Sequence, residues 1–324
     1  MTDRDAIERI RAAVSEVVVG NAAAVDLLLV ALLCRGHALL EDVPGVGKTL
    51  LARSFAAALG CTFRRVQFTP DVLPTDVTGS SVFDPRTVTF EFRPGPVFTQ
   101  VLLADEINRA TPRAQSSLLE AMEERQVTVD GNAVALPEPF VVLATQNPIE
   151  LEGTFPLPEA QLDRFVLRIV LGYPTLEDEA AILGRFENDD PLARVVPVVG
   201  PEEILELQRR RGEIVVSDPV RSYLLDVVRS TRTDSRLALG ASPRAALALH
   251  RAAQARAQIS GRSFVLPDDI KALAVPVLAH RLVLTTAARL RGERVEAIVA
   301  ELLSSLAVTV EDDSDADAMA APTS

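Results

Sequence analysis

From about Gly36 to Gly172, short apolar runs alternate with stretches whose apolar residues recur at helical spacing, the pattern of a parallel sheet with crossover helices. His37–Glu41, Thr62–Phe68, Val101–Asp105, Phe140–Thr145 and Leu167–Leu171 predict strands. Lys48–Leu59, Pro112–Glu124 and Pro158–Arg164 predict helices between them. Two stretches exceed a minimal strand-helix repeat. Residues 69–100 are rich in Pro and Gly and contain strand-like Ser81–Phe83 and Val88–Phe92, while 126–136 place Asp130-Gly131 between alternating runs as a hairpin turn. After Tyr173-Pro174 the pattern predicts helices only, at Leu176–Glu187, Pro201–Arg210, Pro219–Thr231, Pro243–Ile259, Pro267–Leu282 and Glu293–Leu306. Ser217 or Asp218 before Pro219, and Ser242 before Pro243, supply helix-start chemistry. The expected organisation is an α/β core over 1–174 with two inserted hairpins, a helical domain over 175–310, and an acidic, disordered tail over 311–324.

Composition narrows this picture without changing it. With 324 residues, 48% hydrophobic and 24% charged, the chain reads as an ordinary globular protein. The apolar run Ala22–Cys34 is interrupted by Asp26 and is shorter than a membrane helix needs. No membrane insertion and a cytoplasmic location are expected. Cys34 and Cys61 form no CxxC pair and read as free thiols, and His37, His250 and His280 lack ligand spacing and read as satisfied or surface side chains. A net charge of -12 argues against general phosphate-backbone binding. The basic residues are almost all Arg; Lys48 and Lys271 are the two lysines, and Lys48 sits inside a glycine turn.

That turn, Glu41-Asp42-Val43-Pro44-Gly45-Val46-Gly47-Lys48-Thr49, follows an apolar strand and opens a helix, the context of a phosphate-binding loop. Pro44, Gly45, Val46, Gly47, Lys48, Thr49 and Leu50 are the candidate nucleotide contacts. Small glycines let backbone N–H groups curl around phosphate, Lys48 reaches the β and γ phosphates, and Thr49 holds Mg²⁺. The first glycine of the usual pattern is replaced by Asp42. A second motif, Val101-Leu102-Leu103-Ala104-Asp105-Glu106, is an apolar strand ending in two acids: Asp105 to bind the Mg²⁺ water shell, Glu106 to polarise a water. A third strand ends in Gln146-Asn147, which sets the Asn147 amide beside the same water. The expected ligands of these motifs are a nucleotide with β and γ phosphates and Mg²⁺.

The array of Glu41–Thr49, Ala104–Ala110, Leu118–Glu124, Ala144–Pro148 and above all Gly153–Phe165 closely resembles the MoxR family of AAA+ ATPases, and Gly240–Arg244 and Pro276–Arg281 match that family's lid. The resemblance implies a sheet of order 5-1-4-3-2 followed by a helical lid, and a ring, usually a hexamer, with ATP between subunits. It implies that Asn147 senses the γ-phosphate, that Arg164 is an arginine finger reaching a neighbour's site, and that Arg244 is the lid arginine closing on nucleotide. Val18, Val19 and Gly20 match the segment flanking adenine, and the two inserts match the helix-2 insert and pre-sensor hairpin of the wider clade. Relatives of this family work with separate von Willebrand factor A proteins, so a chaperone-like remodelling motor with such a partner is expected. The alternative is a nucleic-acid motor. It is disfavoured by the acidic balance, an aromatic content of 4% without Trp, and the lack of Lys or Arg in the hairpin from Gln126 to Leu136.

Overall fold

The computed structural model describes residues 2–41, 43, 45–147, 153–187 and 191–307. Asp42, Pro44 and the expected acidic tail lie outside the described residues. Five strands form the central sheet: β1 (Ala38–Glu41), β2 (Phe63–Gln67), β3 (Val101–Asp105), β4 (Val141–Gln146) and β5 (Leu167–Ile169). They lie side by side as β2-β3-β4-β1-β5, all pairings parallel, which read from the other edge is the expected 5-1-4-3-2. Successive residues alternate between two apolar layers. Leu40, Leu103 and Leu143 join one cluster, and their neighbours Leu39, Leu102 and Val142 join the other, as the two-residue period of a strand buried on both faces requires.

The first layer holds α1 (Asp3–Ser15), α2 (Ala22–Leu33) and α3 (Lys48–Ala58); the second holds α4 (Pro112–Glu124). Eight of the twelve residues of α2 are buried, so its all-round apolarity marks an interior helix. The helices α5 (Leu176–Phe186), α6 (Pro201–Arg211), α7 (Asp218–Thr233), α8 (Pro243–Ile259), α9 (Pro267–Leu278) and α10 (Val295–Ser305) follow. The first apolar cluster runs on from α1 and α2 into α6 to α9. Polar bonds reinforce that junction: Gln208 donates to the Leu32 carbonyl at 2.7 Å, and Asp3 accepts from Gln258 at 2.7 Å and pairs with Arg210 at 2.8 Å. Among the described residues no helix is long and apolar enough to cross a membrane.

Both inserts are hairpins. Gly79–Asp84 pairs with Thr89–Pro94, and Gln126–Val129 with Asn132–Ala135 through Asp130-Gly131, whose φ values of 50° and 81° suit a two-residue hairpin turn. Ser81 donates to Asp130, so the inserts touch.

The second half is not helical throughout. Leu237–Leu239 and Val283–Leu284 form an antiparallel ribbon. Two strands of three and two residues leave no periodicity to read, and their pairing depends on a partner far along the chain. The expected helix Pro267–Leu282 also ends early, at Leu278, and Ala279–Arg281 is a 3₁₀ turn that contains His280. There the Val277 carbonyl accepts from the Arg281 side chain rather than continuing the helical ladder.

His37, just before β1, is buried and bonded on both ring nitrogens. Nε2 lies 3.0 Å from the Met122 carbonyl, and Nδ1 accepts the Val142 N–H at 3.0 Å. A carbonyl can only accept and an amide N–H only donate, so the ring is the neutral Nε2–H tautomer. Burial pushes the His37 pKa down to about 3, and burial likewise lowers His250 and His280. Unfolded histidines titrate near ~6.5, so below that pH the unfolded chain binds more protons than the folded one, and stability falls as pH drops toward 3. Between pH 7.5 and 5, His37 alone is expected to remove about 2 kcal/mol of unfolding free energy. Urea unfolding at the two pH values checks this, and equal midpoints would refute it.

Candidate functional site

The C-terminal ends of β1, β3 and β4 meet at one edge of the sheet, where a cleft of about 400 Å³ opens. Gly45 and Gly47 have φ of +87° and +90°, left-handed backbone that favours glycine, and a Cβ at either would meet nothing within 4 Å. Gly47 is the residue before α3, so its turn aims the first N–H groups of that helix into the cleft. Lys48, Thr49 and Leu50 line the same space, and Lys48 Nζ donates to the Val43 carbonyl at 3.1 Å.

Across the cleft stand Asp105 and Glu106. Asp105, buried at the end of β3, accepts from the Thr145 hydroxyl at 2.6 Å through Oδ1 and pairs with Arg65 at 2.6 Å through Oδ2. The same Thr145 oxygen accepts the Glu106 N–H at 2.8 Å, so one hydroxyl ties both acids to β4. Glu106 adopts φ 55°, ψ 48°, a left-handed conformation that costs a non-glycine residue energy and persists only where its surroundings enforce it. Its Oε2 accepts from Gln67 at 2.8 Å and lies 3.2 Å from Arg109 Nη1. Asn147 is buried and lines the cleft, and its carbonyl is 3.5 Å from the Asn108 amide.

The cleft therefore unites Gly45, Gly47, Lys48, Thr49, Leu50, Asp105, Glu106 and Asn147 from the sequence-derived set. Val46 is in the loop but is not among the lining residues, and Pro44 lies outside the described residues. Val19 and Gly20 sit in the turn between α1 and α2 rather than on the cleft wall. Gly20 has φ +75°, and a Cβ there would come within 2.5 Å of the Asp178 carboxylate.

Arg164 and Arg244 are brought together, but elsewhere. Both pair with Glu123, at 3.1 and 2.8 Å, in a pocket of about 370 Å³ that Gly36, His37 and Val166 also line. Gly36 and His37 precede β1 and Val166 precedes β5, so this pocket lies at the N-terminal edge of the parallel sheet, opposite the phosphate loop. Six arginines line it against two acids.

Sequence reading missed Arg65, Gln67, Thr145 and Glu123. Gln67 had a signal, because order 5-1-4-3-2 sets β2 beside β3 and in register Gln67 faces Asp105. Arg65 is two residues earlier on the same strand. Nothing local marks Glu123, whose partners come from two distant segments.

A doubly wound parallel sheet, a glycine loop feeding a helix, paired acids at the end of β3, one strand removed from the loop-bearing β1, and a helical lid define a AAA+ ATPase. Residues 37–167 match the family described as "ATPase family associated with various cellular activities (AAA)", and 229–302 match the "AAA lid domain". The chain is 42% identical to Chaperone MoxR1 of Mycobacterium tuberculosis over 93% of this chain and 82% of that protein. It is 48% identical to the uncharacterized protein YeaC of Bacillus subtilis, over 92% of this chain and 93% of the relative. A crystal structure of a candidate ATPase from Cytophaga hutchinsonii superposes with a TM-score of 0.89 at 38% identity, covering 95% of this chain and 96% of that one. The chain belongs to the MoxR family of AAA+ ATPases.

Thr145→Val keeps the shape of the side chain and deletes its hydroxyl, leaving the Glu106 N–H and one Asp105 oxygen without their partner. The expected cost is roughly 1–3 kcal/mol of stability, with ATP hydrolysis falling more than ATP binding. Chemical denaturation and parallel binding and turnover assays measure both, and unchanged turnover would remove Thr145 from the site's support.

Proposed function

We propose that this protein is a ring-forming, Mg²⁺-dependent ATP-hydrolysing motor that remodels or matures a protein complex together with a separate partner of the von Willebrand factor A type. One observation carries the catalytic part: the phosphate loop, both acids and Asn147 share a cleft, whereas Arg164 and Arg244 converge on Glu123 at the opposite edge of the sheet. Such a division suits ATP held between subunits, one supplying the cleft and its neighbour the arginines. The excess of arginines in the second pocket suits a polyanion.

The residues present fit Mg²⁺-ATP. The Thr49 hydroxyl and the Asp105 carboxylate are hard oxygen donors that line the cleft, and Asp105 already carries a cationic partner in Arg65. Bound Mg²⁺ would supply charge neutralisation on the β and γ phosphates. Lys48 adds a compact positive charge to the same oxygens, and the N–H groups at the start of α3 orient them. Glu106, held by Gln67 and Arg109 beside the cleft, accepts a proton from the attacking water, and the Asn147 amide orients that water. Arg164 of a neighbouring subunit adds a planar cation to the charge that develops on the transferred group.

The remodelling part rests on family membership and on the inserts. The first hairpin presents Phe83, Val88 and Phe90 to solvent, and the second, from Gln126 to Leu136, carries no basic residue, a surface suited to protein rather than nucleic acid.

Lys48→Ala is expected to abolish tight ATP binding, while Glu106→Gln keeps binding and loses turnover, because one holds phosphate and the other takes a proton. Nucleotide-binding and phosphate-release assays separate the two, and normal turnover in Glu106→Gln would take that residue out of the general-base role. ATPase activity is also expected to respond to an added von Willebrand factor A protein and to ignore DNA and RNA at physiological salt. Strong stimulation by nucleic acid would favour the nucleic-acid motor instead.

A further inference from the structure

Asp163 and Arg281 line the same pocket as Arg164. Arg281 is buried in the 3₁₀ turn after α9, and all five guanidinium N–H donors find acceptors. Nε pairs with Asp163 Oδ1 at 2.6 Å. Nη2 donates to the carbonyls of Phe165 at 2.6 Å and Asp163 at 3.3 Å. Nη1 donates to Val166 at 3.1 Å and to Val277. Three of these carbonyls belong to residues within two positions of Arg164, namely Asp163, Phe165 and Val166. His280 adds a further contact to the same segment, its Nε2 lying 3.1 Å from the Phe165 carbonyl.

The other oxygen of Asp163 faces the lid arginine's own helix. Ser242, the capping residue of α8, donates to Asp163 Oδ2 at 3.2 Å while accepting the Ala245 N–H at 3.1 Å. Arg244 is two residues further on. One carboxylate thus joins the backbone that carries Arg164 to the helix start that carries Arg244, and Glu123 joins their side chains.

We propose that Arg281 and Asp163 are the positioning residues of Arg164, locking the loop that bears it to the lid so that Arg164 and Arg244 are presented to a neighbouring subunit as one rigid pair. This rests on the reading of Arg164 as an arginine acting across the subunit interface. A planar guanidinium with five fixed donors can grip a carboxylate and four carbonyls at once, whereas a lysine has three donors on one nitrogen and cannot span them. Relaxing the grip displaces Arg164 without touching the phosphate loop, which lies at the other edge of the sheet. A displacement near 1 Å at a catalytic group costs on the order of 100-fold in rate.

The test uses the full chain with Arg281→Lys and, as a second and milder variant, Asp163→Asn. Nucleotide binding and ATP turnover are measured for each alone and for rings co-expressed with Lys48→Ala subunits. Arg164→Ala co-expressed with Lys48→Ala is the control. The expected result is wild-type nucleotide affinity, turnover lowered ~100-fold, and recovery of about tenfold or more in the mixed rings, where a properly held arginine serves an intact cleft. In an Arg164→Ala background, Arg281→Lys is expected to lower turnover no further, which a purely structural residue would not obey. Recovery in the control without recovery in either positioning variant would overturn the proposal and leave the interface reading standing. No recovery in the control would overturn both. Loss of nucleotide binding in both positioning variants would overturn the proposal as well, by making them general supports of the fold.

Discussion

Every strand of the central sheet points the same way, and the site depends on that polarity. Parallel strands deliver all their C-terminal ends to one edge, so the loop after β1, the acids after β3 and the hydroxyl and amide at the end of β4 meet without any long-range adjustment. The interiors of β1, β3 and β4, buried on both faces, keep the register that makes this meeting repeatable. The same polarity sends whatever precedes the strands to the far edge, and there the two arginines collect around Glu123.

Few polar groups are buried between the layers, and the central ones are bonded so as to align elements. His37 joins the end of α4 to β4 through two opposite hydrogen bonds, and Thr145 joins β4 to both acids of β3. Arg281 ties the lid to the loop before β5 with a full set of donors. Each makes a one-sided demand on geometry, because a buried donor left without its acceptor costs more than the bond itself contributes. Glu106 shows the result: its left-handed backbone is held by Thr145 behind and by Gln67 and Arg109 in front.

The lid and the N-terminal helices share one apolar layer, so the chain does not divide its packing where its pattern changes at Pro174. Asp3, near the start of the chain, pairs with α6 and α8, and Leu32 at the end of α2 accepts from Gln208. The lid is therefore packed on and bonded to α1 and α2 as well as to the loop carrying Arg164.

The sequence by itself determined the sheet, its order through the family resemblance, both hairpins, the phosphate loop and the paired acids. These are written in contiguous residues: a two-residue apolar period, Asp130-Gly131 at a turn, Gly45 and Gly47 before a helix, Asp105-Glu106 at the end of an apolar run. Tertiary structure alone decided which polar groups lock onto those residues. Arg65 on Asp105, Gln67 on Glu106 and Thr145 between them depend on neighbouring strands being in register. The ribbon of Leu237–Leu239 with Val283–Leu284 was illegible for the same reason, since neither strand is long enough to show a period. The gathering of Arg164 with Arg244 at Glu123, away from the phosphate loop, was the least legible feature. It arises where a helix end, a loop and a lid helix from three separate stretches of chain converge, and no local pattern encodes a convergence set by packing.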